Sequence, residues 1–188
     1  MTPRRAAPKI APMPSRLWGR LLGRVSVALT AVAATAACNE GLQPTPLCPK
    51  SSPKICGTVT FQGTAPGNTD AVYIVAYQTF PQSKNDLFNF QPPLAELRKL
   101  PLDRASTAYS VAVPKGRYAW VLAAWVDTAF TLATADTTLR EAGFYRDAAD
   151  PTQPGVVIVN DTATDAINFV IDFGNMHPIC TYFPPCPP

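Results

Sequence analysis

A single histidine serves the whole chain of 188 residues, and that scarcity removes much chemistry. His177 stands before Pro178 near the C-terminus, with no cysteine or carboxylate at zinc-site spacing around it. No metal and no cofactor are expected, and the residue reads as an exposed member of a tail. Nucleophilic catalysis needs a base beside its nucleophile, so a Ser/His/Asp arrangement is unsupported as well. Glycine-rich loops that cradle phosphate are missing. The longest apolar run, Val25 to Ala37, falls short of the roughly 20 residues of a membrane-spanning helix. No internal repeat is present, and little of the chain carries a helical period.

What is present begins with an export signal. Arg16, Arg20 and Arg24 precede the apolar run, which closes on small residues before Cys38. Residues 1–37 are therefore expected to be cleaved, with Met13 an alternative start to Met1. Small residues followed by cysteine resemble the bacterial lipobox, although Thr35 stands where leucine is preferred. That resemblance implies a lipid on Cys38 and a membrane as partner, with Asn39 after it favouring the outer membrane. Ordinary cleavage before Ala37 is the alternative. Export also changes the charge. Six of the 16 basic residues and none of the 13 acidic ones lie in 1–37, so ten face thirteen in the mature chain, a net of −3. The basicity belongs to the signal and gives no reason to expect nucleic-acid binding.

Five cysteines are an odd number for an exported protein. With Cys38 acylated, Cys48, Cys56, Cys180 and Cys186 form two pairs. Two pairings compete: a nested one, Cys56–Cys180 with Cys48–Cys186, and a local one, Cys48–Cys56 with Cys180–Cys186. Many of the 21 prolines sit at the two ends and in the loops. Residues 38–55 read as a Pro-rich tether and residues 176–188 as a Cys/Pro-rich tail.

Between them, residues 56–175 carry short strands. Cys56–Gln62 alternates, with Val59 and Phe61 inward. Ala71–Phe80 and Arg117–Asp127 are apolar on both faces, as central strands are. Tyr109–Val113, the turn Pro114-Lys115-Gly116 and Arg117–Asp127 read as one long hairpin. Tyr118, Trp120 and Leu122 are expected to face the opposite sheet. Val121, Ala123 and Trp125 are expected to lie under a loop or a ligand. Gln82–Asp103 is too apolar for a solvated loop and should cover a sheet face or an open edge. Thr138–Tyr145 reads as a short strand or turn. Val156–Asn160 and Ala166–Phe173 read as a closing hairpin. The class is all-β: an antiparallel seven-stranded Greek-key β-sandwich with long loops.

Gly57-Thr58-Val59-Thr60-Phe61 and Tyr109-Ser110-Val111-Ala112-Val113-Pro114-Lys115-Gly116-Arg117-Tyr118 resemble carboxypeptidase regulatory-like or transthyretin-like domains. The resemblance spans roughly residues 56–173 and implies an accessory, adhesion or spacer module, usually without catalysis. The expected function is a non-catalytic binding or structural module of the cell envelope, its partner an unidentified envelope protein or glycan. Two other functions have specific candidates. A carbohydrate-binding module would use Trp125, Phe144 or Tyr145 as exposed rings. An envelope hydrolase would need a facing pair among carboxylates such as Asp127, Glu141 and Asp172.

Overall fold

The computed structural model describes residues 48–184. Residues 1–37, Cys38 and Cys186 lie outside that range, and with them the expected signal, the lipid site and one expected disulfide cysteine. Strands dominate. The first sheet is built on β1 (Lys54–Gln62), which pairs antiparallel with β3 (Ser106–Ala112). Its other edge takes β8 (Ala163–Thr164) and β9 (Phe169–Asp172) in succession. Both run parallel to β1, so the pairing is not antiparallel throughout. The second sheet runs β10 (His177–Pro178), β6 (Leu139–Phe144), β5 (Trp120–Asp127), β2 (Thr69–Tyr77), all neighbours antiparallel. A small ladder joins β4 (Gly116–Tyr118) to β7 (Val157–Val159).

One core lies between the two sheets. Val59, Tyr109, Val111, Phe169 and Ile171 come to it from the first, and Val72, Ile74, Val121, Ala123 and Trp125 from the second. Tyr118, Val157 and Val159 of the small ladder join the same core. The expected alternation holds in β1, where Val59 is buried while Thr58 and Thr60 are exposed. It holds again at Ile167, Phe169, Ile171 and Phe173, all buried.

Two expected hairpins are absent. β3 and β5 belong to different sheets, so Pro114–Ala119 is a crossing between sheets. Proline cannot donate to a ladder, and at Pro114 the chain leaves β3, its carbonyl accepting from the Tyr118 hydroxyl at 2.7 Å. The chain then pairs with β7 and bends at Ala119, whose N–H donates to Tyr77 O at 2.8 Å. That bend breaks the period of two. Tyr118 and Val121, three apart, both point into the inter-sheet core, whereas Trp120 and Leu122 point outward. The faces of β5 are therefore the reverse of those expected. Likewise β7 pairs with β4 and β9 with β1, so the last strands form no hairpin with each other.

β2 is an edge strand rather than a central one, and Gln82–Asp103 covers its free edge as expected. Ala76 and Gln91 exchange backbone hydrogen bonds of 2.8 Å, and Leu100 N–H donates to Val72 O at 2.9 Å. Leu94–Glu96 forms a single 3-10 turn capped by Pro93. Thr138–Tyr145 resolves into β6, preceded by one helical turn, α1 (Ala135–Thr138). Residues 176–184 of the tail are ordered too. β10 joins β6, and Ile179 and Cys180 are buried. Cys48 is bonded to Cys56, which overturns the nested pairing; the eight-residue separation ties the segment before β1 to a residue already paired with Ser110 in the sheet. Cys180 is also disulfide-bonded.

Candidate functional site

The outward face of the second sheet is where the apolar surplus of β2 and β5 is spent. Tyr73, Val75 and Tyr77 of β2 alternate outward, as do Trp120, Leu122 and Ala124 of β5. Three segments rise around that face: the 82–103 connection, the 128–138 connection and the tail. Together they enclose a cleft of about 440 Å³, within the range of about 300–1,000 Å³ typical of small-molecule sites. Leu87, Phe90 and Leu97 form one wall, Phe130 and Leu132 a second, Ile179, Tyr182 and Phe183 a third. The rim is apolar as well, with Phe88 48% exposed and Leu94 and Leu132 each 75% exposed.

Trp120 anchors the aromatic part of the site. Its ring centroid lies 5.6 Å from Tyr77, 4.7 Å from Phe80 and 5.3 Å from Tyr182. Its indole N–H is buried with no partner among the described residues. Such an orphan costs about 1–3 kcal/mol, so Trp120 itself is held by ring packing. Burial raises the Tyr77 phenol, whose hydroxyl donates to Leu87 O at 2.6 Å. The Tyr182 phenol is raised by burial first and then by the neighbouring Glu141 carboxylate.

Glu141 is the polar feature. It lines the cleft and is only 5% exposed. His177 Nδ1 lies 2.9 Å from its Oε2. A carboxylate only accepts, so the imidazole proton sits on Nδ1. The Tyr182 hydroxyl donates to the same oxygen at 3.0 Å. His177 is therefore no free tail residue: β10 brings it opposite Glu141 in register, and the pair ties the tail to the sheet. Among the described residues no three His, Cys, Asp or Glu side chains gather as a metal site.

An irregularity of β6 aims Glu141 outward. The register between β5 and β6 slips at Ala123/Ala124, with Leu122 opposite Phe144 and Ala124 opposite Glu141. Ala142 is the extra residue and points into the inter-sheet core. Without such a bulge, residues 141 and 144 would lie on opposite faces. With it, both face out. Gly143, at φ 151°, lets the strand pass under Val170 of β9.

The residues singled out in sequence do not assemble. Trp125 is 2% exposed inside the inter-sheet core, where its Nε1 donates to Thr69 Oγ1 at 2.8 Å. The Arg140 guanidinium lies over its ring at 5.8 Å. Phe144 is buried in the outer aromatic cluster, and Tyr145 is half-buried against the inter-sheet core. These rings therefore make no exposed coplanar platform. Asp127, Glu141 and Asp172 are likewise apart. The Asp127 carboxylate accepts from the Asn68 amide, and that of Asp172 caps the backbone N–H of Gly174 at 2.9 Å. Only Glu141 lies in the cleft. Trp120, Tyr182 and the rim of Phe88, Leu94 and Leu132 were missed as site residues. The surplus of apolar residues in 82–103 was the available signal.

No protein-family model, curated protein or solved structure matches this chain.

Proposed function

We propose that the chain is a lipid-anchored, extracytoplasmic β-sandwich serving as a non-catalytic binding module of the cell envelope, with its ligand held in the outer cleft of the second sheet. The observation that carries this reading is the cleft itself, an aromatic and aliphatic recess with an exposed apolar rim. Exposed apolar patches of this kind mark binding surfaces. The anchor rests on residues 1–37 and Cys38, and an acylated Cys38 at the outer membrane is part of the proposal. So is the likeness to carboxypeptidase regulatory-like and transthyretin-like sandwiches, with the short extra strands as elaborations of a seven-stranded Greek key. A glycan remains the runner-up ligand, though on the cleft aromatics rather than on Trp125, Phe144 and Tyr145.

Filling the cleft tests the binding reading. Ala124 sits half-buried on its floor, and Ala124→Trp places an indole there. The variant should keep its melting temperature within a few degrees and lose uptake of an apolar fluorescent probe such as anilinonaphthalene sulfonate. Unchanged uptake by a folded variant would refute it. Mass spectrometry of the membrane-extracted protein tests the anchor: an acyl-modified N-terminal Cys38 is expected, and an unmodified N-terminus at Ala37 rejects it.

A further inference from the structure

We propose that the cleft takes an uncharged apolar ligand ending in a carbonyl group, whose oxygen accepts from the Trp120 indole N–H. The proposal rests on the binding reading above and names its ligand class. Trp120 is 4% exposed and lines the cleft. Its Nε1 is one of two buried side-chain donors without a partner among the described residues. The other, Arg140 Nε, belongs to a guanidinium drawn over the Trp125 ring, which lies in the inter-sheet core. Trp120 points the other way, into the outer cluster with Tyr77, Phe80 and Tyr182. An indole N–H only donates, so the partner it lacks is an acceptor. A buried donor left unpaired is costly, and an acceptor carried in by a ligand removes that cost. Nε1 is closed to water, so the oxygen reaches it by opening a ring contact of Trp120, such as that with Tyr182 at 5.3 Å.

The rest of the site narrows the head group. A carboxylate or phosphate would accept from the indole, but Glu141 and Asp70 both line the cleft and would repel it at low dielectric. The cations nearby are engaged elsewhere: Lys99 with Asp70 at 2.9 Å, Lys84 with Asp136 at 2.6 Å and Arg140 over Trp125. An ammonium only donates and would leave the indole N–H as it is. A carbonyl oxygen accepts, carries no charge and brings no further donor to be paired among apolar walls. The apolar walls supply the affinity and Trp120 the choice of head group.

Three probes on one ring system separate these roles at neutral pH: naphthalene, 2-acetylnaphthalene and 2-naphthoate. They are titrated into the isotope-labelled mature protein and followed by NMR. Trp18 lies in residues 1–37, so the mature chain gives two indole N–H signals, from Trp120 and Trp125. 2-Acetylnaphthalene should bind about fivefold tighter than naphthalene, the scale of one net hydrogen bond between neutral groups, and 2-naphthoate weakest. It should also move the Trp120 signal downfield beyond the change that naphthalene causes. The Trp125 signal should not follow, since that N–H already donates to Thr69 Oγ1 at 2.8 Å. Equal affinities, or a Trp120 signal that moves no further, would overturn the carbonyl contact and leave the binding reading standing. Tightest binding of 2-naphthoate would overturn it too. If no probe binds, both readings fall. Trp120→Phe keeps an aromatic ring and lacks the N–H. Checked for folding by its melting curve, it should bind naphthalene and 2-acetylnaphthalene about equally. A folded variant that keeps the preference refutes the role of Trp120. The wild-type comparison decides even if that variant does not fold.

Discussion

Replacing Gly143 by alanine should be among the most damaging single changes in the domain. A Cβ at this position would stand 2.0 Å from Val170 O and 3.2 Å from Ile171 Cα. Contacts below 3.0 Å do not occur, so β6 or β9 must give way by more than an ångström. Both are backbone, and β9 is tied along β1 by its register from Val59↔Phe169 to Gln62↔Asp172. The φ of 151° adds a conformation that residues with a Cβ adopt only under strain. Overpacking of about 1–3 kcal/mol and backbone strain of about 1–3 kcal/mol put the loss at about 2–6 kcal/mol. At roughly 3 °C per kcal/mol for a domain of this size, the melting temperature should drop by about 6–18 °C. Circular dichroism melts measure it. Gly67→Ala is the control, since nothing lies within 4 Å of its Cβ; its change should stay within about 0.5 kcal/mol. If the two variants melt within 2 °C of each other, the close approach of the sheets at Gly143 is wrong.

The Cys48–Cys56 bridge closes a short loop, with a separation of 8 residues, and chain entropy credits it with about 2.5 kcal/mol. Cys48→Ser should lower the denaturant midpoint accordingly, and unreduced peptide mapping should recover Cys48 joined to Cys56; a peptide joining Cys56 to Cys180 would refute the pairing. Alkaline pH gives a third measurement. Burial raises the phenols of Tyr77 and Tyr109, whose hydroxyls donate to Leu87 O and Ile167 O. The folded state then keeps protons that the unfolded chain loses above its ordinary tyrosine value of about 10. Stability from these groups is therefore complete below that pH. It falls above it, by up to about 2.7 kcal/mol per pH unit for the two. Urea denaturation at pH 9, 10 and 11 should show the decline, and a constant midpoint from pH 9 to 11 would contradict it.

What could be read from sequence depended on whether a segment keeps its period. β1 and the Ile167–Phe173 stretch keep it, and their inward residues were legible one by one. The apolar load of Gln82–Asp103 was legible as a cover for the edge of β2, because leucines and phenylalanines between prolines have no reason to stay in water. β5 was legible as a strand buried on both faces, but its faces were not. A single bend at Ala119, invisible in the pattern, inverts every residue after it. The sheet partners of β3, β7 and β9 were illegible for a different reason. Neighbours in sequence were taken as neighbours in a sheet, and a sandwich that crosses between sheets at Pro114 breaks that assumption.

Glu141 shows why the candidate site lay beyond such reading. In the sequence it is one carboxylate in Leu139–Phe144, with no partner at a telling spacing. Its position depends on three separate events. The bulge at Ala142 turns it to the outer face. The pairing of β10 with β6 brings His177 from 36 residues away. The one-turn 3-10 segment Ile179–Thr181 then returns the chain so that Tyr182 reaches both Glu141 and Trp120. Each is a tertiary consequence, and the tail looked irregular because its order is imposed by what it packs on.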